Sequence, residues 1–249
     1  MMTDTITSLI EELRHPDKNV RGKAALSLGK LGDTALLDTL LNALSTEPDL
    51  FVREDLTWAL VRIGGEALEP LIDLLYNTNA AVRHHAAHVL GKIADGRAVE
   101  ALMRALQDTD AAVVSKAAFG LRQIGDERAI PALVAIVGHE NRDVQTMLID
   151  VLEHFGASSV EPLMALMTSE RGQVREQAAD ILGQIGDKRA LPVLIEALKD
   201  EAWQVRFAAV TALGHMGGAE AKAALQAMPD DVDDRVRTLV AKVIKRMKR

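Results

Sequence analysis

The stretch from Val174 to Leu198 reads VREQAADILGQIGDKRALPVLIEAL, and its spacing decides the fold. Counting from Val174, apolar or small residues return at offsets 0, 4, 8 and 11, as Val174, Ala178, Leu182 and Ile185. That stripe is one face of an α-helix. Gly186 follows, and glycine most easily takes the left-handed conformation that ends a helix. Asp187 comes next, a residue suited to capping the following helix. Pro192 falls near the start of that helix, where a missing N–H costs little. Leu191, Leu194, Ile195 and Leu198 give the second segment its own apolar face. The stretch is therefore a helix, a tight corner and a second helix.

Working outward, related segments begin at Val20, Val52, Val82, Val113, Val144, Val174, Val205 and Val236. The spacings are 32, 30, 31, 31, 30, 31 and 31 residues. Each of these segments is helix B of a repeat, and helix A precedes it. In the first unit the stripe is Val20, Ala24, Leu28 and Leu31. Offset 5 is mostly alanine (Ala25, Ala87, Ala118, Ala179, Ala209), which allows close helix approach. Gly32, Gly64, Gly125, Gly156 and Gly217 repeat the helix-ending role of Gly186, and Asp33, Asp95 and Asp126 the capping role of Asp187. Pro70, Pro131 and Pro162 fall near other helix A starts.

Eight units, at about residues 4–32, 33–64, 65–94, 95–125, 126–156, 157–186, 187–217 and 218–249, account for the 249 residues. One helix pair cannot bury its apolar face alone, whereas stacked pairs bury a continuous core. The expectation is one all-α solenoid domain over 1–249, a superhelix of about eight two-helix repeats. Glu11 and Glu12 at one end, and Lys245, Arg246, Lys248 and Arg249 at the other, cap the stack. The terminal bases suit the helix dipole, and a monomer is expected.

Composition agrees. Aromatic residues make up 3% of a chain that is 48% hydrophobic, which suits Leu- and Ala-rich helices and not β-sandwiches. The net charge of −7 runs against a protein built to wrap nucleic acid. The absence of cysteine excludes disulfides, thiolate catalysis and cysteine-based zinc sites. The N-terminal MMTDTITSLIEEL has no signal-peptide pattern, and no run approaches the length of a membrane span. A cytoplasmic protein without membrane contact is expected.

The motif VRxxAAxALGxIGDxRAxxxLxxAL, best matched over Val174–Leu198 and Val82–Leu106, resembles HEAT repeats, in the short subclass named after phycobilisome lyases. The resemblance spans the chain and implies a right-handed solenoid whose B helices line the concave side. It also implies a polar ladder between an aspartate three before the valine and an arginine just after it. Asp17/Arg21, Asp49/Arg53 and Asp233/Arg237 keep both, and Asn79/Arg83 is a near match. Arg171/Arg175 and Ala202/Arg206 keep the arginine alone. Val114 and Gln145 break the ladder in units 4 and 5, which reads as drift of the repeat, with a softer seam mid-solenoid as the alternative. The family includes scaffolds, bilin lyases, a di-iron hydroxylase and DNA glycosylases, so the resemblance says little about function.

With helix B on the inner side, offsets 2, 3, 6 and 10 face the groove. Leu26, Trp58, His88 and Phe119 then form a stripe, flanked by Asp55, Arg62, His85 and Lys116. Asp150, Glu176 and Asp180 form an acidic sector further on, and Phe207 is a third inner aromatic. Apolar residues in an exposed row mark binding surfaces, and tryptophan is a favoured anchor. The alternative is that Trp58 and Phe119 pack between helices. His84 and His88, at i and i+4, can share a metal, but no third ligand stands at fixed spacing and no metal is assigned. The hydroxylase relatives are implied to use several His-Glu pairs, and this chain has one, His139-Glu140.

These features favour a non-catalytic scaffold or adaptor that binds a protein or peptide in the groove, without a cofactor and without nucleic acid. A phycobilin lyase-like protein or chaperone, holding a linear tetrapyrrole between Trp58, His88 and Phe119, is the alternative. Visible absorbance on mixing with bilin separates the two.

Overall fold

The computed structural model describes residues 2–228 and 230–247. Lys248 and Arg249 of the basic terminus lie outside the described residues. Among those described there is no strand, and helix follows helix throughout. The all-α solenoid class read from the sequence is borne out.

The chain forms two compact units, Met1–Asp126 and Glu127–Arg249. The first holds α1 (Met2–Glu12), α2 (Lys18–Leu31), α3 (Leu37–Thr46), α4 (Leu50–Ile63), α5 (Leu68–Leu74), α6 (Ala80–Ile93), α7 (Val99–Ala105) and α8 (Ala111–Ile124). The second holds α9 (Ile130–Ala135), α10 (Arg142–Phe155), α11 (Val160–Leu166), α12 (Gly172–Ile185), α13 (Leu191–Glu196), α14 (Trp203–Met216), α15 (Gly218–Ala227) and α16 (Asp234–Arg246). The even-numbered helices are the B helices.

The punctuation works as the sequence implies. Asp33, Asp95 and Asp187 accept backbone N–H groups two residues on, each opening a 3-10 turn that leads into helix A. Pro131 and Pro192 lie in the first turns of α9 and α13. Unit 3 departs, because Ala94 takes the left-handed position (φ 57°) that glycine fills elsewhere.

The core is the buried stripe of helix B against helix A. Ala24, Leu28, Leu56, Leu60, Ala86 and Leu90 are at most 1% exposed. Each fully buried leucine contributes roughly 1.5–3 kcal/mol. The offset-5 alanines are fully buried, as close helix approach requires. Offset 11 is the edge of the stripe, not its centre. Leu31, read as core, is 45% exposed, and Phe155 and Ile185 are half-buried. They fall in the last turn of helix B, beside the corner glycine, where the chain turns away.

One column sets how closely successive B helices approach. Offset 9 reads Gly29, Val61, Gly91, Arg122, Glu153, Gly183, Gly214 and Lys245. A Cβ on Gly29 would lie 2.6 Å from Ala59 Cα, and one on Gly183 would lie 2.5 Å from Ala212 Cβ. One on Gly91 would meet Gly120 Cα at 2.7 Å. The seams α2/α4, α6/α8 and α12/α14 are therefore closed backbone to backbone. The α4/α6 and α10/α12 seams carry Val61 and Glu153 at that position and stand wider.

The arginine ladder has different partners from those expected. Asp17, Asp49 and Asp233 accept N–H groups at the start of their own B helix, so they are N-caps. The arginines reach instead to an acid five residues before the next valine. Arg21 holds Glu47 at 2.8 Å, Arg83 holds Asp108 at 2.6 Å, and Arg175 and Arg206 hold Asp200 and Asp231 at 2.7 Å. The third guanidinium nitrogen donates to carbonyls of its own loop, as Arg206 does to Asp200 and Glu201. The arginine hydrogen bond, opposed by partial burial, holds Asp108 and Asp231 below the usual carboxylate range. Rungs and glycines coincide, and the α4/α6 and α10/α12 seams have neither.

Candidate functional site

The B-helix face of the first unit gathers most of the expected groove residues. On α4, Phe51, Asp55, Trp58 and Arg62 follow the i, i+4, i+7, i+11 spacing that places them on one side of a helix. Phe51 is 76% and Trp58 39% exposed. Trp58 also lies across the preceding helix, 3.0 Å from where a Gly29 Cβ would be. It is thus half anchor and half surface, which reconciles the two sequence readings. Leu26, Asp55, Lys116 and Phe119 are half-buried, and Arg62 is exposed. Burial, and then the Glu54 carboxylate, push the Asp55 carboxyl up.

Each ring on this face carries a cation. Lys18 stands 5.5 Å from the centroid of Phe51, and Arg62 stands 5.6 Å from that of Trp58. Lys116 and Lys92 stand 5.8 and 6.0 Å from Phe119. Such pairs are attractive at these distances. A shallow cleft of about 340 Å³, lined by Lys18, Lys23, Leu26, Phe51 and Asp55, opens between α2 and α4.

The histidines behave differently from the expectation that they face an open groove. His85 and His88 are each 7% exposed, because the wide α4/α6 seam admits imidazoles between the helices. Arg53, followed by Asn77 at the position that holds Glu47, Asp108, Asp200 and Asp231 in the repeats with a rung, lies 2.8 Å from His85 Nε2. Arginine has donors only, so that nitrogen accepts and His85 is neutral with its proton on Nδ1. His88 Nε2 is 3.3 Å from Glu54 Oε1 without hydrogen-bond geometry, and its Nδ1 has no partner. Burial lowers both imidazoles to about 4, aided at His85 by His84 and Arg53 and at His88 by Lys116. His84 is half-buried, edge-on to His85 at 4.9 Å. Among the described residues no three His, Asp or Glu side chains converge as metal ligands. His139 and Glu140 lie in the loop before α10, where His139 Nδ1 accepts the Asn141 N–H.

In the second unit the wide α10/α12 seam forms a cleft of about 660 Å³. Glu176 and Asp180 line it with Arg142, Gln145, Gln173 and Gln204, while Asp150 is exposed on α10 outside the lining. Amides replace the arginine rung here. Gln177 accepts from Gly138 at 2.6 Å and donates to the Gln145 carbonyl at 3.0 Å. Burial, and then Glu176, push Asp180 up to about 6. Phe207 is 36% exposed and packs edge-on against Trp203 at 6.3 Å, and the Arg235 guanidinium covers Trp203 at 3.3 Å.

The sequence reading missed the loop acids Glu47, Asp108, Asp200 and Asp231. Their constant distance of 25 or 26 residues from the arginine was the available signal. It also left Phe51 at a helix end without a role.

Models of HEAT repeats match residues 6–80, 68–153 and 160–245. The chain belongs to the HEAT-repeat family. No curated protein matched the sequence. Among solved structures, the Kap95p–RanGDP complex aligns at TM-score 0.67 and 15% identity over 98% of this chain and 40% of the other. The CpcE–CpcF complex of phycocyanin lyase from Nostoc sp. PCC7120 aligns at 0.45 and 22% identity, over 97% and 94%. Human deoxyhypusine hydroxylase aligns at 0.43 and 22%, over 98% and 96%. At these identities the likeness is one of HEAT fold. No described helix is long and apolar enough to cross a membrane.

Proposed function

We propose that this HEAT-repeat chain is a non-catalytic scaffold that binds a protein or peptide along the B-helix face of its first unit. The observation that carries this reading is the placement of its scarce aromatics. A core of Leu, Ala and Val needs few rings, yet Phe51 and Trp58 are spent on solvent, each beside a cation. Partly exposed aromatic and arginine side chains are the usual anchors of protein interfaces. Kap95p, similar to this chain in fold, binds a protein, RanGDP, and binding of a protein is proposed here too.

Affinity capture from the native host tests the reading, with wild type compared against Trp58→Ala/Phe119→Ala and followed by cross-linking mass spectrometry. The expected result is a partner lost by the double variant and cross-linked to Lys23, Lys92 or Lys116. Equal recovery by the variant, with cross-links confined to A helices, overturns the reading. A melting curve on the variant separates lost binding from lost fold.

A further inference from the structure

The first unit's B-helix face carries charge of one dominant sign. Lys23, Lys30, Arg62, Lys92 and Lys116 make no ion pair among the described residues. All lie on α2, α4, α6 or α8, four of the five are exposed, and Lys116 is half-buried. Against them stand Glu54 and Asp55. This excess is local, because the chain as a whole has a net charge of −7. The same columns in the second unit hold Met147, Gln177, Ala208 and Leu239, and His154, Gln184, His215 and Arg246, while Asp150 and Asp180 stand there in the column that holds Trp58 and Phe119 in the first. Unpaired cations on an acidic protein keep their full attraction for an anionic partner, because nothing on the chain has neutralised them.

Apolar surface is interleaved with that charge. Arg62 stands at Trp58, and Lys92 and Lys116 at Phe119, at 5.6–6.0 Å, while the cation at Phe51 is Lys18, which Asp49 pairs at 3.0 Å. A ring with a cation at its face or edge offers a second ring or an aliphatic chain a flat surface, and offers a carboxylate a charge beside it. Packed helices stand about 8–10 Å apart, and an extended chain rises about 3.3 Å per residue. A segment lying across the four B helices therefore meets a new helix about every third residue.

We infer that this face takes an extended acidic peptide segment bearing aromatic or large aliphatic side chains at about every third position. The inference rests on the binding reading above and names the chemistry of its partner. Glu54 and Asp55, in the midst of the face, disfavour the continuous charge of a nucleic-acid backbone while leaving room for spaced carboxylates.

The test is fluorescence anisotropy with a fluorescein-labelled random copolymer of glutamate and tyrosine, on the full chain. Poly-glutamate, a lysine–tyrosine copolymer and a 20-nucleotide oligo-dT are the comparators. The expected result is that the Glu–Tyr copolymer binds most tightly, that binding weakens between 50 and 300 mM salt, and that Arg62→Glu/Lys116→Glu weakens it at least tenfold. Lys188→Glu/Lys199→Glu, two exposed residues of the second unit, leaves it unchanged, which controls for the same change in net charge. Near-ultraviolet circular dichroism verifies the fold of each variant. Equal binding of the Glu–Tyr and Lys–Tyr copolymers, stronger binding of oligo-dT, or an unaffected charge-reversal variant overturns the inference. A captured partner that depends on Trp58 and Phe119 while the Glu–Tyr copolymer fails to bind refutes the acidic chemistry alone. Failure of both experiments removes the binding face itself.

Discussion

Helix α12 packs against α14 on one side and α10 on the other, and the two seams are built from different parts. Toward α14, Gly183 lets the backbones touch and Arg175 clamps Asp200 across the repeat boundary. Toward α10, Glu153 stands where the glycine would be, and Gln145 and Gln177 replace the ion pair with amide hydrogen bonds. The first seam is closed and the second opens into a cleft holding a carboxyl displaced to about 6. In the first unit, α4/α6 repeats the open arrangement and is filled by histidines. Two sequence columns thus separate seams that hold the stack together from seams that admit ionisable side chains.

The contrast can be broken most forcefully at a closed seam. Replacing Asp231 by alanine leaves the buried Arg206 guanidinium without its bidentate partner. A loss of about 3 kcal/mol in urea unfolding is expected, against less than about 1 kcal/mol for Gln145→Ala at the open seam. Next comes Gly183→Val, whose side chain has no space against Ala212. It should cost about 2–3 kcal/mol by overpacking, whereas Glu153→Gly should cost only its helix propensity, at most about 1 kcal/mol.

The two open seams should titrate with opposite signs. His85 is held at about 4, below its unfolded value, so its contribution to stability is present above pH 6.5 and is lost as pH falls through 4. Arg53, Lys116 and the other two histidines add to the cost of its protonation, so His85→Gln should flatten the decline in stability between pH 7 and 4.5. Asp180 is held at about 6, above its unfolded value, so its contribution is present below pH 4 and is lost as pH rises through 6. Asp180→Asn should therefore stabilise the chain at pH 8, by on the order of 1 kcal/mol, and have no effect at pH 3.5. Thermal melts across pH check both. The smallest effect is expected at Ala94, among the described residues the one non-glycine in the left-handed region. Ala94→Gly should gain about 0.5 kcal/mol, the relief of Cβ strain less the backbone entropy of glycine.

The repeat, the helix pairing, the corner glycines and the fold family were legible because each follows from local spacing. The buried alanines at offset 5 were legible for the same reason. The ladder partners were not, because the resemblance suggested an aspartate that turned out to satisfy the N–H groups of its own helix. A residue that can cap locally does so before it reaches another repeat. His85 and His88 were placed on the right helix and given the wrong exposure. Whether an offset faces solvent depends on how closely the next helix approaches, and that was written in a different column, at Val61. Trp58 shows the same limit. Its spacing placed it on the inner side, but the side chain is shared between packing on the preceding helix and contact with solvent.

The most direct measurement is quenching of Trp58 fluorescence in a Trp203→Phe variant, which leaves Trp58 as the sole tryptophan. Acrylamide reports exposure, while iodide and caesium report the sign of the surrounding charge. The expected result is ready quenching by acrylamide, stronger quenching by iodide than by caesium, and protection from both when the Glu–Tyr copolymer is added. Blue emission that resists acrylamide, or stronger quenching by caesium than by iodide, would contradict an exposed, basic, aromatic face on the first unit.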